Sequence, residues 1–232
     1  MMALVNNINW NDYCVIIPAY NSESTLPVLI NKLQRLYPQL DILVIDDGSQ
    51  KDLQKNIHNK IWNFIRHNRN RGKGAALKRG IKHAQKKGKN YAIFLDSDLQ
   101  HKPEAILRFV YKQLKSRSSI ILGKRNFTDK MPFHRVLSNT ITSFLISLRT
   151  GTRIHDSQCG FRLLELNNIN TDNYNYNGFQ FESEFLLKTI DSSTSISEVE
   201  ISTIYNDHDS NMENFMDTIR FIKMYFASFL WR

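Results

Sequence analysis

The sequence of 232 residues predicts an α/β protein whose mostly parallel β-sheet is flanked by helices. Short apolar runs typical of buried strands alternate with segments in which apolar residues recur at helical spacing. Several of these runs end in acidic residues, as strands do at the ligand-binding edge of an open α/β sheet. From about residue 130 longer amphipathic segments replace the alternation. We therefore expect one domain over residues 1–210 and a C-terminal amphipathic helix over 211–232.

The elements follow one another in a regular order. Strands are predicted at 13–17, 41–45, 61–65, 91–95, 119–123 and 196–205. Helices are predicted at 24–37, 74–87, 103–115, 132–150, 181–190 and from 212 onward. Strands that alternate with helices imply parallel pairing through right-handed crossovers.

Composition limits the partners and the compartment. With 31 Lys and Arg against 22 Asp and Glu, the net charge is +9, which favours anionic partners such as nucleotides or phospholipid surfaces. The two cysteines do not suggest a disulfide framework, so a reducing, cytoplasmic location is expected. The N-terminus lacks a signal-peptide pattern, and no apolar run is long enough to span a bilayer.

Two predicted strands end in carboxylates. Asp96 and Asp98, with Gln100 two residues on, follow the strand at 91–95, and oxygen ligands of this kind can hold a hard divalent cation on a nucleotide diphosphate. Asp46 and Asp47 follow the strand at 41–45, where a carboxylate can accept hydrogen bonds from a nucleobase. The alternative for both is a plain polar turn, since Asp and Ser are common turn formers. We expect the two ends to lie side by side on one sheet edge.

Basic residues stand at two further element boundaries. Gly72 and Lys73 precede a helix, where backbone N–H groups and a lysine can approach phosphates. Arg125 follows the strand at 119–123 and can neutralise a phosphate, although a surface arginine is the alternative. Neither feature is a P-loop or a dinucleotide fingerprint.

Five motifs occur in order along the chain: VIIPAYN at 15–21, VIDDGS at 44–49, NRGKGA at 70–75, LDSDLQH at 95–101 and DSQCGFR at 156–162. Together they resemble a family-two glycosyltransferase of the GT-A fold, in the dolichyl-phosphate mannose synthase-like branch that uses polyprenyl phosphates. The resemblance covers residues 13 to about 205.

The resemblance implies roles for individual residues. Pro18, Tyr20 and Asp46, with Asp47, belong to the nucleotide site, while Gly72, Lys73 and Arg125 belong to the donor phosphates. Mg²⁺ or Mn²⁺ is implied at Asp96, Asp98 and Gln100. Arg135 and Ser138 face the acceptor phosphate, and Asp156 and Arg162 shape the boundary between donor and acceptor. The residues expected to act in the reaction are Asp98, Arg125, Asp156 and Arg162.

The implied activity is that of a hexosyltransferase in cell-envelope glycan or glycolipid synthesis. It moves one sugar, with inversion, from a UDP- or GDP-linked donor to a dolichyl or undecaprenyl phosphate. The segment 206–210 lacks the Arg-x-x-Gly-x-Ser-Lys pattern of mannose synthases, so the sugar and the nucleotide stay open. The chain also lacks the Gln-x-x-Arg-Trp element of processive synthases, which favours transfer of a single sugar.

Three alternatives remain. A transferase acting on a saccharide hydroxyl needs a general base, for which Asp156 or Glu184 can serve. A sugar-nucleotide pyrophosphorylase is disfavoured, because no Gly-rich loop follows Ile17. A non-enzymatic basic protein that binds nucleic acid has the right charge but lacks interleaved stacking aromatics, so we expect no nucleic acid partner.

The C-terminal helix has two interpretations. Its apolar residues predict either a helix packed on the core or an interfacial helix on the cytoplasmic leaflet, with Trp231 at headgroup depth. The sequence does not determine the oligomeric state.

Overall fold

The structure is a computed structural model that describes residues 8–57, 63–126, 133–202, 204 and 211–231. The strands are β1 Tyr13–Ala19, β2 Asp41–Asp46, β3 Asn63–Arg66, β4 Tyr91–Phe94, β5 Ile120–Arg125, β6 Arg162–Glu165 and β7 Ile196–Ile201. The α-helices are α1 Leu26–Leu36, α2 Lys73–Lys86, α3 Ile106–Ser116, α4 Phe133–Thr150, α5 Gln180–Thr189 and α6 Asn211–Ala227.

All seven strands form one sheet in the order β3-β2-β1-β4-β6-β5-β7. Every pairing is parallel except those of β6, which runs antiparallel to both β4 and β5. The predicted mostly parallel sheet is therefore confirmed. The two acidic strand ends are not on adjacent strands, because β1 lies between β2 and β4 and pairs with each of them.

Strand β6 was not predicted from the sequence, and it controls the geometry of the sheet edge. Because β6 is antiparallel, its first residue lies beside the last residue of β4 and the middle of β5. Arg162 is in register with Phe94 of β4 and with Leu122 of β5. The polar turn before β6 therefore lies at the same edge as the ends of the parallel strands.

The sheet is buried between two helical layers, as near-continuous apolar runs in parallel strands require. Val15 and Ile17 of β1 pack with α1 and α3, whereas Cys14 and Ile16 face α2 and α5. Each residue of β1 is buried, and its side chains alternate between the two layers.

Helix α4 has its apolar face outward. The sequence indicated an amphipathic helix with one apolar face, and core packing of that face is the usual outcome. The buried residues are instead mostly small and polar: Asn139, Thr142, Ser143 and Ile146. The exposed ones are Leu137, Ile141, Phe144 and Leu148.

Helix α6 packs against α5, with Phe221, Met224 and Tyr225 buried in the same core cluster as α2 and α5. One side of the C-terminal helix therefore packs on the core, as the first of the two interpretations expects. Ile222 and Phe226 on the other side are exposed. The domain division at residue 210 stays a prediction. Among the described helices, none is both long enough and apolar enough to cross a bilayer.

Candidate active site

The carboxyl edge of the sheet gathers four of the predicted site residues. Asp46 ends β2, Asp96 lies two residues beyond β4, Arg125 ends β5 and Arg162 begins β6. Parallel strands end at one edge, and the antiparallel β6 starts there. The topology therefore brings together residues that are far apart in the chain.

Asp46 is a fully buried carboxylate at this edge. Its Oδ1 accepts hydrogen bonds from the backbone N–H of Ser49 at 2.9 Å and from the Ser49 hydroxyl at 2.6 Å. Its Oδ2 lies 3.4 Å from Nε of Arg66, which the sequence analysis had not singled out. Pro18 is buried within β1, and Tyr20, the first residue after β1, is 46% exposed. These groups line one end of the edge.

Asp47 shapes the basic turn that precedes α2. One of its oxygens lies 2.7 Å from Nδ1 of His67, and the other accepts the backbone N–H of Gly72 at 2.7 Å. Gly72 has a φ of +99°, in the region that favours glycine. Asp47 therefore acts inside the protein, by holding the turn that aims Lys73 at the sheet edge.

Lys73 connects three elements of the site. Its Nζ lies 2.7 Å from Oδ1 of Asp96 and 3.3 Å from Oε2 of Glu182, which belongs to α5. Burial alone disfavours the charged form of Asp96, but the Lys73 ammonium outweighs burial and lowers the pKa of this carboxyl. The same pairing raises the pKa of Lys73 despite its own burial. Both groups are therefore charged at neutral pH.

The turn after β4 presents Asp98 to solvent. Asp98 Oδ1 accepts the backbone N–H of Gln100 at 2.9 Å, and Leu99 between them has a φ of +64°. Within the described ranges no three His, Cys, Asp or Glu side chains form a metal-binding group by themselves. Two carboxylates with an amide oxygen still fit Mg²⁺, which usually takes one or two carboxylates and completes its shell with water and substrate phosphates.

Arg125 and Asp156 form a bidentate ion pair. Arg125 Nε donates to Asp156 Oδ2 at 2.7 Å and one terminal nitrogen donates to Oδ1 at 2.9 Å. Asp156 is fully buried and also accepts the backbone N–H of Arg125. The pair fixes the turn before β6 to the end of β5.

Arg162 is almost fully buried, and its guanidinium donates to three backbone carbonyl oxygens. These belong to Ser157 at 2.6 Å, Cys159 at 2.8 Å and Glu182 at 3.0 Å. Arg162 thus holds the 156–162 turn against α5. Nearby, burial lowers the pKa of His101 to about 4, so this imidazole is neutral.

The predicted acceptor residues lie on α4. The hydroxyl of Ser138 is 3.3 Å from that of Thr218 on α6, so its described contact is with the C-terminal helix. The side chain of Arg135 lies outside the described part of the chain.

Glu182, Arg66 and His67 were missed from the sequence. Glu182 is the most informative, because its Oε1 is buried without a hydrogen-bond partner in the described structure while its Oε2 faces Lys73. The available signal was a pair of acidic residues, Glu182 and Glu184, between the apolar residues of α5. Glu184, which the sequence analysis named instead, is fully buried and accepts from two backbone N–H groups and Lys188.

Comparison with known proteins agrees with this arrangement. The family model for glycosyl transferase family 2 matches residues 14–170. The UDP-N-acetylglucosamine–dolichyl-phosphate N-acetylglucosaminyltransferase of Methanococcus voltae is 29% identical, with 84% of this chain and 86% of that protein covered. The polyprenol monophosphomannose synthase of Mycolicibacterium smegmatis is 26% identical, with 81% of this chain and 76% of that protein covered.

Among solved structures, glucosyl-3-phosphoglycerate synthase from Mycobacterium tuberculosis in complex with Mn²⁺, UDP and phosphoglyceric acid superposes with a TM-score of 0.72. The match covers 93% of this chain and 77% of that one, at 17% identity. This likeness confirms the predicted GT-A fold.

Proposed function

The chain belongs to glycosyl transferase family 2, and from that premise we propose that it transfers one sugar, with inversion, from a nucleotide diphosphate sugar to a polyprenyl phosphate. Two relatives, whose names specify dolichyl phosphate and polyprenol monophosphate, support this acceptor class. The observation that carries the proposal is the sheet edge itself, where Lys73 contacts Asp96 and the exposed Asp98 follows two residues later.

The donor nucleoside binds between Tyr20 and Asp46, and its diphosphate reaches the turn of Asp96 and Asp98. Backbone N–H groups at the start of α2 favour negative charge at this position. UDP in the structural neighbour supports a uridine nucleotide, and UDP–N-acetylglucosamine in the name of a relative agrees.

A divalent cation fits the donor site. Asp96, Asp98 and Gln100 would hold Mg²⁺ or Mn²⁺, and the bound ion supplies Lewis-acid stabilisation of the departing diphosphate. Mn²⁺ or Mg²⁺ with UDP in structures of the same fold supports this choice. Lys73 now balances the charge of Asp96, and we expect its ammonium to turn toward the diphosphate when donor binds.

The way the carboxylates are used supports a phosphate acceptor. A sugar hydroxyl needs a general base close to its proton. Asp156 is fully buried and paired with Arg125, and Glu184 is fully buried and bonded to a loop and to Lys188, so neither suits this role. A phosphate monoester is already ionised at neutral pH, with a second pKa of about 6, and needs positioning instead.

In the proposed reaction an oxygen of the acceptor phosphate attacks the anomeric carbon of the donor sugar. The bond from that carbon to the diphosphate breaks, and the nucleoside diphosphate leaves with the bonding electrons. No proton has to be removed from the nucleophile. Arg135 stays the proposed ligand of the acceptor phosphate, with Ser138 beside it on α4.

The test offers labelled UDP- and GDP-sugars to the enzyme with polyprenyl phosphate in detergent. We expect labelled lipid with one donor, and we expect Arg135→Ala to raise the KM for lipid far more than the KM for donor. Product that forms only on a saccharide or protein hydroxyl would overturn the proposal.

A second candidate is transfer to a hydroxyl with Glu182 as the base. It is favoured by the unpartnered Oε1 of this buried carboxylate beside Lys73. Glu182→Gln distinguishes the two. If Glu182→Gln lowers the rate and also removes the acid limb of the pH–rate profile, the acceptor is a hydroxyl. If the variant keeps the acid limb, the acceptor is a phosphate.

We propose that the enzyme works as a peripheral protein on the cytoplasmic face of a membrane. The lipid acceptors in the names of relatives support membrane contact. Two buried, free cysteines fit a reducing compartment. Fractionation of cells into cytosol and membrane, with and without a high-salt wash, tests this placement.

A further inference from the structure

The outer surface of α4 is unusual for a helix that packs on a sheet protein. Residues at spacings of three and four form an exposed apolar stripe: Leu137, Ile141, Phe144 and Leu148, with exposed fractions of 48%, 49%, 64% and 68%. The opposite side is buried through hydrogen bonds. The Ser143 hydroxyl accepts the N–H of Ser157, and Gln158 donates to the Thr142 hydroxyl. Because the polar side of this amphipathic helix faces inward, its apolar side faces outward and is available for a binding partner.

Helix α6 lies beside α4 and runs in the same direction. Ser138 is joined to Thr218 near the start of the contact, and Arg149 donates to the carbonyl of Ser228 near its end. The Arg149 guanidinium also lies over the ring of Phe229, 5.2 Å from its centroid. Next to α4, the exposed apolar residues Ile222 and Phe226 of α6 continue the stripe, and so do Phe229 and Leu230 of the 3-10 turn Ser228–Leu230 that follows α6. We call these eight residues the outer apolar face.

The outer apolar face concentrates exposed apolar area. It holds eight of the fourteen large hydrophobic residues that are exposed in the described ranges. A contiguous patch of this kind marks an interaction surface, whereas scattered single residues do not.

The charged side chains that the structure describes on α4 and in the segment 218–231 are all basic. Residues 133–150 and 218–231 contain no Asp or Glu. Arg149, Arg153, Arg220 and Lys223 are exposed on or next to the two helices. An apolar stripe rimmed by Lys and Arg is the pattern of a helix that lies in the interface of an anionic bilayer.

We propose that the outer apolar face is the surface on which this protein docks to a lipid bilayer with anionic headgroups. The choice of lipid over a second protein rests on the proposed function, because a polyprenyl phosphate presents its phosphate at a membrane surface. The buried side of α4 is hydrogen-bonded to the 156–162 turn, which is joined to Arg125. One helix diameter, about 10 Å, therefore separates a docked bilayer from the turns of the active site.

The experiment uses the full chain and vesicles of phosphatidylglycerol and phosphatidylcholine that contain no polyprenyl phosphate. The test variant is Phe144→Gln with Phe226→Gln, one ring from each helix. The matched control is Tyr111→Gln with Leu114→Gln on α3, where both residues are about half exposed on the opposite helical layer. Melting temperatures establish that both variants are folded.

We expect the vesicle partition coefficient to fall at least about tenfold in the test variant and to stay unchanged in the control. Binding should also weaken on pure phosphatidylcholine. A wild-type chain that stays off anionic vesicles overturns the proposal, as does an equal loss in both variants. If the test variant keeps vesicle binding but dissociates a dimer in sedimentation velocity, the face is a self-interface and the proposal fails.

These outcomes are separable from those of the proposed function. Vesicle binding without sugar transfer to polyprenyl phosphate refutes the acceptor assignment and leaves the docking surface. Sugar transfer in detergent without vesicle binding refutes the docking surface and leaves the acceptor assignment.

Discussion

Gly160 provides a sharp test of the donor site. A Cβ atom built on Gly160 lies 2.9 Å from Nζ of Lys73 and 3.1 Å from Cγ of Asp96, and it lies closer still to Oδ2 of Asp96. The φ of Gly160 is outside the left-handed region, so alanine meets no backbone strain there. Gly160→Ala therefore acts on the ion pair of Lys73 and Asp96, and above all it pushes the Asp96 carboxylate away.

The size of the effect follows from the geometry. Carbon and oxygen atoms need more than about 3.3 Å, so the carboxylate has to move by about 1 Å. A displacement of that size at reacting groups costs about 100-fold in rate, equivalent to about 2.7 kcal/mol of transition-state stabilisation. We expect kcat/KM to fall by this factor and Mn²⁺-dependent UDP binding to weaken in calorimetry, with the melting temperature nearly unchanged.

Gly88→Ala is the matched control. Gly88 has a φ of +73° and nothing within 4 Å of an added Cβ. Alanine there should lower the free energy of unfolding by about 1 kcal/mol through backbone strain and leave the rate unchanged. If Gly160→Ala keeps the kcat/KM of the parent enzyme, the position of the Asp96 carboxylate does not control donor binding or transfer.

Asp98→Ala should abolish transfer without lowering the melting temperature, because Asp98 is exposed at the sheet edge; normal turnover of this variant in excess EDTA would contradict a metal site. Arg125→Ala should cost about 3–5 kcal/mol in urea unfolding, since it leaves the buried Asp156 charge unpaired. Adding Asp156→Asn should recover part of that loss, and a strictly additive double variant would refute the coupling. Burial raises the pKa of the Cys14 and Cys159 thiols to about 12, so iodoacetamide should label neither in the folded protein and both after unfolding, as counted by mass spectrometry.

The strands were predictable where the chain is apolar and continuous. Strands β1 and β2 begin where the sequence placed them and extend one or two residues further, because buried parallel strands read as apolar runs. Strand β6 was missed because it has only four residues and starts with Arg162. Three backbone carbonyls satisfy that charge, and no local pattern reveals such partners.

The candidate site was predictable to a similar extent. The carboxylates of Asp46 and Asp96 are local signals at strand ends. The link from Lys73 to Glu182 depends on how α5 docks against α2, which no sequence period encodes. The orientation of α4 was also hidden, since periodicity identifies an apolar face but does not say whether protein or another medium covers it.

The antiparallel insertion of β6 has a consequence for assembly of the chain. Strands β3, β2, β1 and β4 occupy the first part of the sequence and can pair as soon as they are synthesised. Strand β4 then presents a bare edge, because its second partner is β6, in which Arg162 pairs with Phe94 across a long separation in sequence. Such non-local closure is slow, and an unpaired apolar edge promotes aggregation in the meantime. We expect ribosome-bound chains that end before β6 to recruit chaperones, and released chains of that length to precipitate.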